Sequence, residues 1–83
     1  MSVRWEVNAK MPNSPSLAYQ SRYMDDEGQA RSLLAKKLKA MGKKGHDVWL
    51  VRWDRNPDQR SFTSTVVEGP GWRDLYNANP QNP

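Results

Sequence analysis

The chain predicts an α+β fold: a four-stranded antiparallel sheet in the order 2-1-3-4, built as β-β-α-β-β, with one helix on one face and a short C-terminal helical turn. Three observations predict it. Residues 3–11 alternate apolar and polar side chains. Ala30, Leu33, Leu34, Leu38 and Met41 recur at intervals of three and four. Two further runs, residues 48–53 and 60–68, are rich in β-branched and aromatic residues. A period of two marks a strand with one buried face, and a period near 3.6 marks an amphipathic helix.

In the first segment Val3, Trp5, Val7, Ala9 and Met11 point one way, while Arg4, Glu6, Asn8 and Lys10 point the other. Pro12-Asn13-Ser14-Pro15-Ser16 then forces a loop. Residues 17–23 read as a second strand, with Leu17, Tyr19, Ser21 and Tyr23 on one face, closing an antiparallel hairpin.

Asp26 followed three residues later by Gln29 fits a capping box, so the helix is expected over residues 26–43, with Gly42 and Gly45 as C-terminal caps. Lys37 falls inside its apolar arc. Its stem either packs at the core edge with the ammonium reaching water, or the residue stands at a groove mouth and meets a ligand.

Val48-Trp49-Leu50-Val51-Arg52-Trp53 is apolar on both faces, with Trp49, Val51 and Trp53 on one. Such a strand is central or has its second face covered. Residues 54–59 form a turn, and residues 60–68 supply a fourth strand ended by Gly69-Pro70-Gly71. Trp72, Leu75 and Tyr76 share one helical turn and are placed to clip across a sheet face. The second apolar face needs cover, from this clip, from a second copy of the chain or from a partner. Residues 1–76 thus form one domain, and the polar, proline-punctuated residues 77–83 read as a disordered tail.

Eighty-three residues with 36% apolar and 27% charged side chains make one thin core. A two-domain enzyme is excluded, and the absence of cysteine removes disulfide scaffolds and thiolate-ligated metals. The start of the chain has no apolar secretory core, and no run is long enough to span a membrane, so a cytoplasmic protein is expected. Catalysis finds little support. His46 is the sole histidine and sits at a glycine-flanked boundary, the carboxylates are scattered or clustered at the helix cap, and Gly42-Lys43-Lys44-Gly45 lacks the length and terminal hydroxyl of a phosphate loop. No enzyme activity, metal or cofactor is expected.

Binding is the remaining class. The four tryptophans are core or contact candidates, and Trp49, Trp53, Arg52, Arg55 and Trp72 are the candidate partner-contacting residues. The partner is a protein, with a host factor or a second copy as candidates. The net charge is +4, and Arg31, Lys36, Lys37, Lys39, Lys43 and Lys44 crowd six cations into fourteen residues. Acids at a helix start and bases at its end suit the helix dipole. The alternative reading is nucleic-acid binding, with Lys36, Lys39, Lys43, Lys44 and Arg60 on phosphates and Trp49 or Trp53 stacked on bases.

The pattern Tyr19-x-Ser21-Arg22-x-Met24, then Gln29-Ala30, Leu33-Leu34-Ala35, Leu38, Gly42 and a Val-rich strand resembles small hairpin–helix–strand proteins of phages that infect actinobacteria. The resemblance covers about residues 3–54. It implies a small accessory or host-directed protein and transfers no active site. Lys37 within the stripe and the tryptophan-bearing second hairpin depart from it.

Overall fold

A computed structural model describes residues 3–56 and 61–70. Strand β1 (Val3–Lys10), the short β2 (Tyr19–Gln20), helix α1 (Glu27–Met41), a 3-10 turn (Gly42–Lys44), β3 (Asp47–Arg55) and β4 (Phe62–Glu68) follow in chain order. The sheet is antiparallel throughout in the order β2-β1-β3-β4, and the helix lies on one face. The expected C-terminal turn with Trp72, the tail at residues 77–83 and Arg60 fall outside the described residues.

The helix begins where its cap is made. Asp26 is extended, and its Oδ2 accepts from the Gln29 backbone N–H at 2.9 Å. Its end comes slightly earlier than the periodicity predicts. After Met41 the chain tightens into the 3-10 turn, and Gly45, at φ 90°, supplies the left-handed residue that reverses direction. Ala30 and Leu34 are buried against Trp5, Val7, Ala9, Val48 and Leu50, with Leu33 and Met41 at the margin. Leu38, expected in the stripe, is 44% exposed. It lies one step round the helix beyond Leu34, past the edge of the arc that meets the sheet. Lys37 takes the arc position instead, half-buried, with Nζ 4.3 Å from the centre of the Tyr19 ring. The stem is therefore packed and the charge rests on an aromatic face.

The second strand is much shorter than residues 17–23. Gln20 pairs with Asn8, but the next bridge joins Met24 to Trp5, so four residues on the edge span three on β1. One extra residue inverts the alternation. Tyr19 therefore packs against the helix-side core, while Tyr23 stands on the opposite face against Trp53. Ser21 completes the ladder across the irregularity: its N–H donates to the Val7 carbonyl, and its Oγ accepts from the Val7 N–H at 2.9 Å.

β1 departs from the half-buried pattern. Its polar residues Glu6, Asn8 and Lys10 are as buried as Val7 and Ala9, at 2%, 6% and 2% exposure, whereas Met11 is exposed. β1 lies between β2 and β3, and its polar face is set beside the second apolar face of β3: Glu6 opposite Val51, Asn8 opposite Trp49, Arg4 opposite Trp53.

β4 pairs with β3 through a bulge, since Val66 opposes Val51 but Glu68 opposes Leu50, leaving Val67 as the additional residue. Gly69 follows at φ 98° with its α-carbon pressed against β3. A Cβ there would stand 2.5 Å from the Val48 carbonyl oxygen and 2.8 Å from Trp49 Cα. Gly69→Ala is therefore expected to detach the end of β4, at a cost of about 1–2 kcal/mol in urea denaturation. Hydrogen exchange should quicken at Val66–Glu68 while the β1–β3 amides keep their protection. A neutral effect would contradict this close approach. On the helix side, Arg31 ties β4 to α1 by donating to Glu27 Oε2 at 2.8 Å and to Glu68 Oε1 at 2.7 Å. These hydrogen bonds, first to Glu27 and then to Glu68, raise its already high pKa.

Candidate functional site

The sheet face away from the helix holds the densest polar chemistry among the described residues. Glu6 is its centre. Trp53 Nε1–H donates to Glu6 Oε1 at 3.0 Å, Gln20 Nε2 donates to Oε2 at 2.6 Å, and Asn8 Nδ2 donates to Oε1 at 3.4 Å. β1 supplies Glu6 and Asn8 at alternate positions, β3 brings Trp53 across the register, and Gln20 comes from the edge strand. All three donors are neutral, and no cation lies within ion-pair distance of this carboxylate among the described residues. A carboxylate buried without a counter-ion is costly, and hydrogen bonds offset only part of that cost. The Asn8 amide turns its nitrogen to Glu6, which leaves its Oδ1 buried with no partner.

Two cavities meet at Trp53. One, of about 340 Å³, is lined by Glu6, Asn8, Trp49, Val51, Trp53, Ser64 and Val66. The other, of about 130 Å³, lies between Arg4, Tyr23, Trp53 and Phe62. The Tyr23 and Trp53 rings meet edge to face, with centres 6.2 Å apart. Beyond them Phe62, Val66 and Val67 on β4 are 48%, 40% and 39% exposed.

Lys10 closes the far end of the β1 polar row. Its Nζ donates to the carbonyls of Met11, Pro12 and Ser14 at 2.9, 3.2 and 3.1 Å. A loop with two prolines has few N–H groups of its own to satisfy these oxygens, so the ammonium organises it. Lys10→Met is expected to lower stability by about 1–2 kcal/mol, because the charge-assisted bonds are lost but the exposed loop carbonyls can rehydrate. Limited proteolysis should then cut within residues 11–16. An intact, equally resistant loop would show that the lysine is not its organiser.

The structure does not gather the sequence-predicted contact residues into one patch. Trp49 is 2% exposed, opposite Asn8 on β1 and with the Gly69 backbone against it. Trp53 is half-buried and lines both cavities. Arg52 points to the opposite face, paired with Asp54 at 3.1 Å and 5.9 Å from the Trp5 ring centre. Arg55 is exposed at the end of β3, and Trp72 lies outside the described residues. Lys36, Lys39, Lys43 and Lys44 are all exposed, and the first three border one shallow surface with Ala40. His46 is half-buried, with Nδ1 3.3 Å from the Met41 carbonyl, so it belongs to the end of the helix.

Sequence reasoning missed Glu6, Asn8 and Tyr23. A signal for the first two was present. A central strand that is apolar on both faces must place one of them beside the polar row of its neighbour, and those polar residues then share its burial. Among the described residues no group of acidic or histidine side chains is arranged to hold a metal ion, and no helix is long and apolar enough to cross a membrane.

The fold and this face define a small α+β domain with an indole- and carboxylate-lined cavity beside an exposed sheet edge. No protein-family model, curated protein or solved structure matches the chain.

Proposed function

We propose that this protein is a non-enzymatic binding module that works by protein–protein contact, through the face formed by Trp53, Tyr23 and the β4 edge. The observation that carries this reading is the exposure of Phe62, Val66 and Val67 on an edge strand, next to a half-buried Trp53. Edge strands add further strands, and aromatic side chains beside them supply anchoring area. Trp49 serves as the floor of this face. The role is that of an accessory or host-directed factor of the phage type, acting in the cytoplasm on a host protein or on a second copy of the chain. The resemblance over residues 3–54 supports this part of the reading.

Phe62→Asp tests it, because that side chain is exposed and its replacement leaves the core untouched. The wild-type chain is expected to self-associate in concentration-dependent light scattering or to retain a partner in affinity capture, and Phe62→Asp to lose that association while keeping its circular dichroism. A wild-type chain that is monomeric throughout and captures nothing lost by the variant would remove the proposal.

The run of exposed lysines on one surface of α1 favours a second reading, nucleic-acid binding through Lys36, Lys39, Lys43 and Lys44. It requires an affinity for DNA or RNA that falls steeply as salt is added. No binding at low salt would end it.

A further inference from the structure

We infer that the cavity between β1, β3 and β4 is a binding site for a guanidinium group, an arginine side chain presented by the protein partner. This rests on the contact-face reading above and specifies the chemistry of its centre. The cavity, about 340 Å³, is at the small end of ligand sites and suits one side chain better than a cofactor. Its lining donors Trp53 Nε1–H and Asn8 Nδ2 are already spent on Glu6, and two acceptors remain. Three donors occupy the Glu6 carboxylate, which offers about four acceptor positions, so one remains open. The Asn8 Oδ1 beside it is buried and unpartnered. Neither is matched by a cation, because Lys10, next along the same face, spends its ammonium on three loop carbonyls.

A carboxylate oxygen and an amide oxygen on neighbouring same-face positions can receive two N–H groups of one planar fork. The walls are Trp49, Trp53, Val51 and Val66. Indole faces favour a weakly hydrated, delocalised cation over a strongly hydrated ammonium. The site is thus complementary to arginine in charge, in hydrogen-bond direction and in shape. The cations of α1 stand on the other side of the sheet, and Arg4, which lines the adjoining cavity on this face, makes no ion pair with Glu6.

The test uses the full chain labelled with nitrogen-15 and two probes, N-acetyl-arginine methylamide and its uncharged isostere N-acetyl-citrulline methylamide. The Trp53 indole N–H and the Asn8 side-chain amide are followed by NMR. Arginine is expected to shift both signals saturably, in the millimolar range appropriate to one side chain, and citrulline to bind at least tenfold more weakly. Glu6→Gln should reduce arginine binding about tenfold or more. If that variant does not fold, the comparison of the two probes on the wild-type chain decides alone. Absence of saturation, or equal shifts from both probes, overturns the inference and leaves a cavity occupied by water. The two readings fail separately. Arginine binding in a chain that has no macromolecular partner keeps the site and removes the contact face. A Phe62-dependent partner without arginine binding does the reverse.

Discussion

Trp49→Ala is expected to destabilise the domain by about 3–5 kcal/mol, the range for truncating a buried aromatic residue. Small domains are stable by only about 5–15 kcal/mol, so this one change removes a large share of the margin and, at the low end of that range, brings the variant close to unfolding. The size follows from placement. The indole is 2% exposed, stands opposite Asn8 on the central strand pair, and carries the Gly69 backbone against its Cα and Cβ. Removing it opens the floor of the 340 Å³ cavity and withdraws the support on which the end of β4 rests. Urea denaturation followed by circular dichroism measures the loss. The informative comparison is Phe62→Ala, whose side chain is about half exposed and should cost well under half as much. Similar costs for the two would mean that the indole is no more structural than the edge aromatic. A separation of the expected size divides the face into a supporting layer and a contacting layer.

That division explains which features were readable from residue order and which were not. The helix was readable because its determinants are local: Asp26 caps Gln29, good helix formers follow, and Gly45 takes the left-handed conformation after its end. The strand order was readable because an antiparallel hairpin and a helix returning over it leave few simple alternatives. The parity of the edge strand was not. One extra residue between the Gln20 and Met24 pairings sends Tyr19 and Tyr23 to opposite faces, and nothing in residues 17–23 announces it. The cavity was hidden for a related reason. Glu6 and Asn8 look like solvent-side residues within their own strand, yet they are buried, and the register sets them beside Val51 and Trp49. Binding chemistry here depends on which residues become cross-strand neighbours, and local periodicity does not contain that information. The lysines of α1 are the opposite case, since an exposed helix face is visible in the spacing alone.

Glu6→Ala is expected to cost about 2–4 kcal/mol, although it replaces a charged residue with an apolar one in the interior. Desolvation alone argues the other way, since an unpaired buried carboxylate is unfavourable and its removal should help. The hydrogen bonds decide the sign. Without Glu6, the Trp53 Nε1–H, the Gln20 amide and the Asn8 amide all lose their acceptor. A stranded buried donor costs about 1–3 kcal/mol, and Gln20, which is exposed, can turn to water. The remaining penalty should fall mainly on Trp53 and Asn8. Trp53→Phe keeps an aromatic ring but deletes one of the donors, so Glu6→Ala in that background should be less harmful by about 1–2 kcal/mol. Additive costs in the double-mutant cycle would show that Glu6 and Trp53 are not coupled. The indole would then be held by packing against Tyr23, and the carboxylate would have no part in fixing the wall of the cavity.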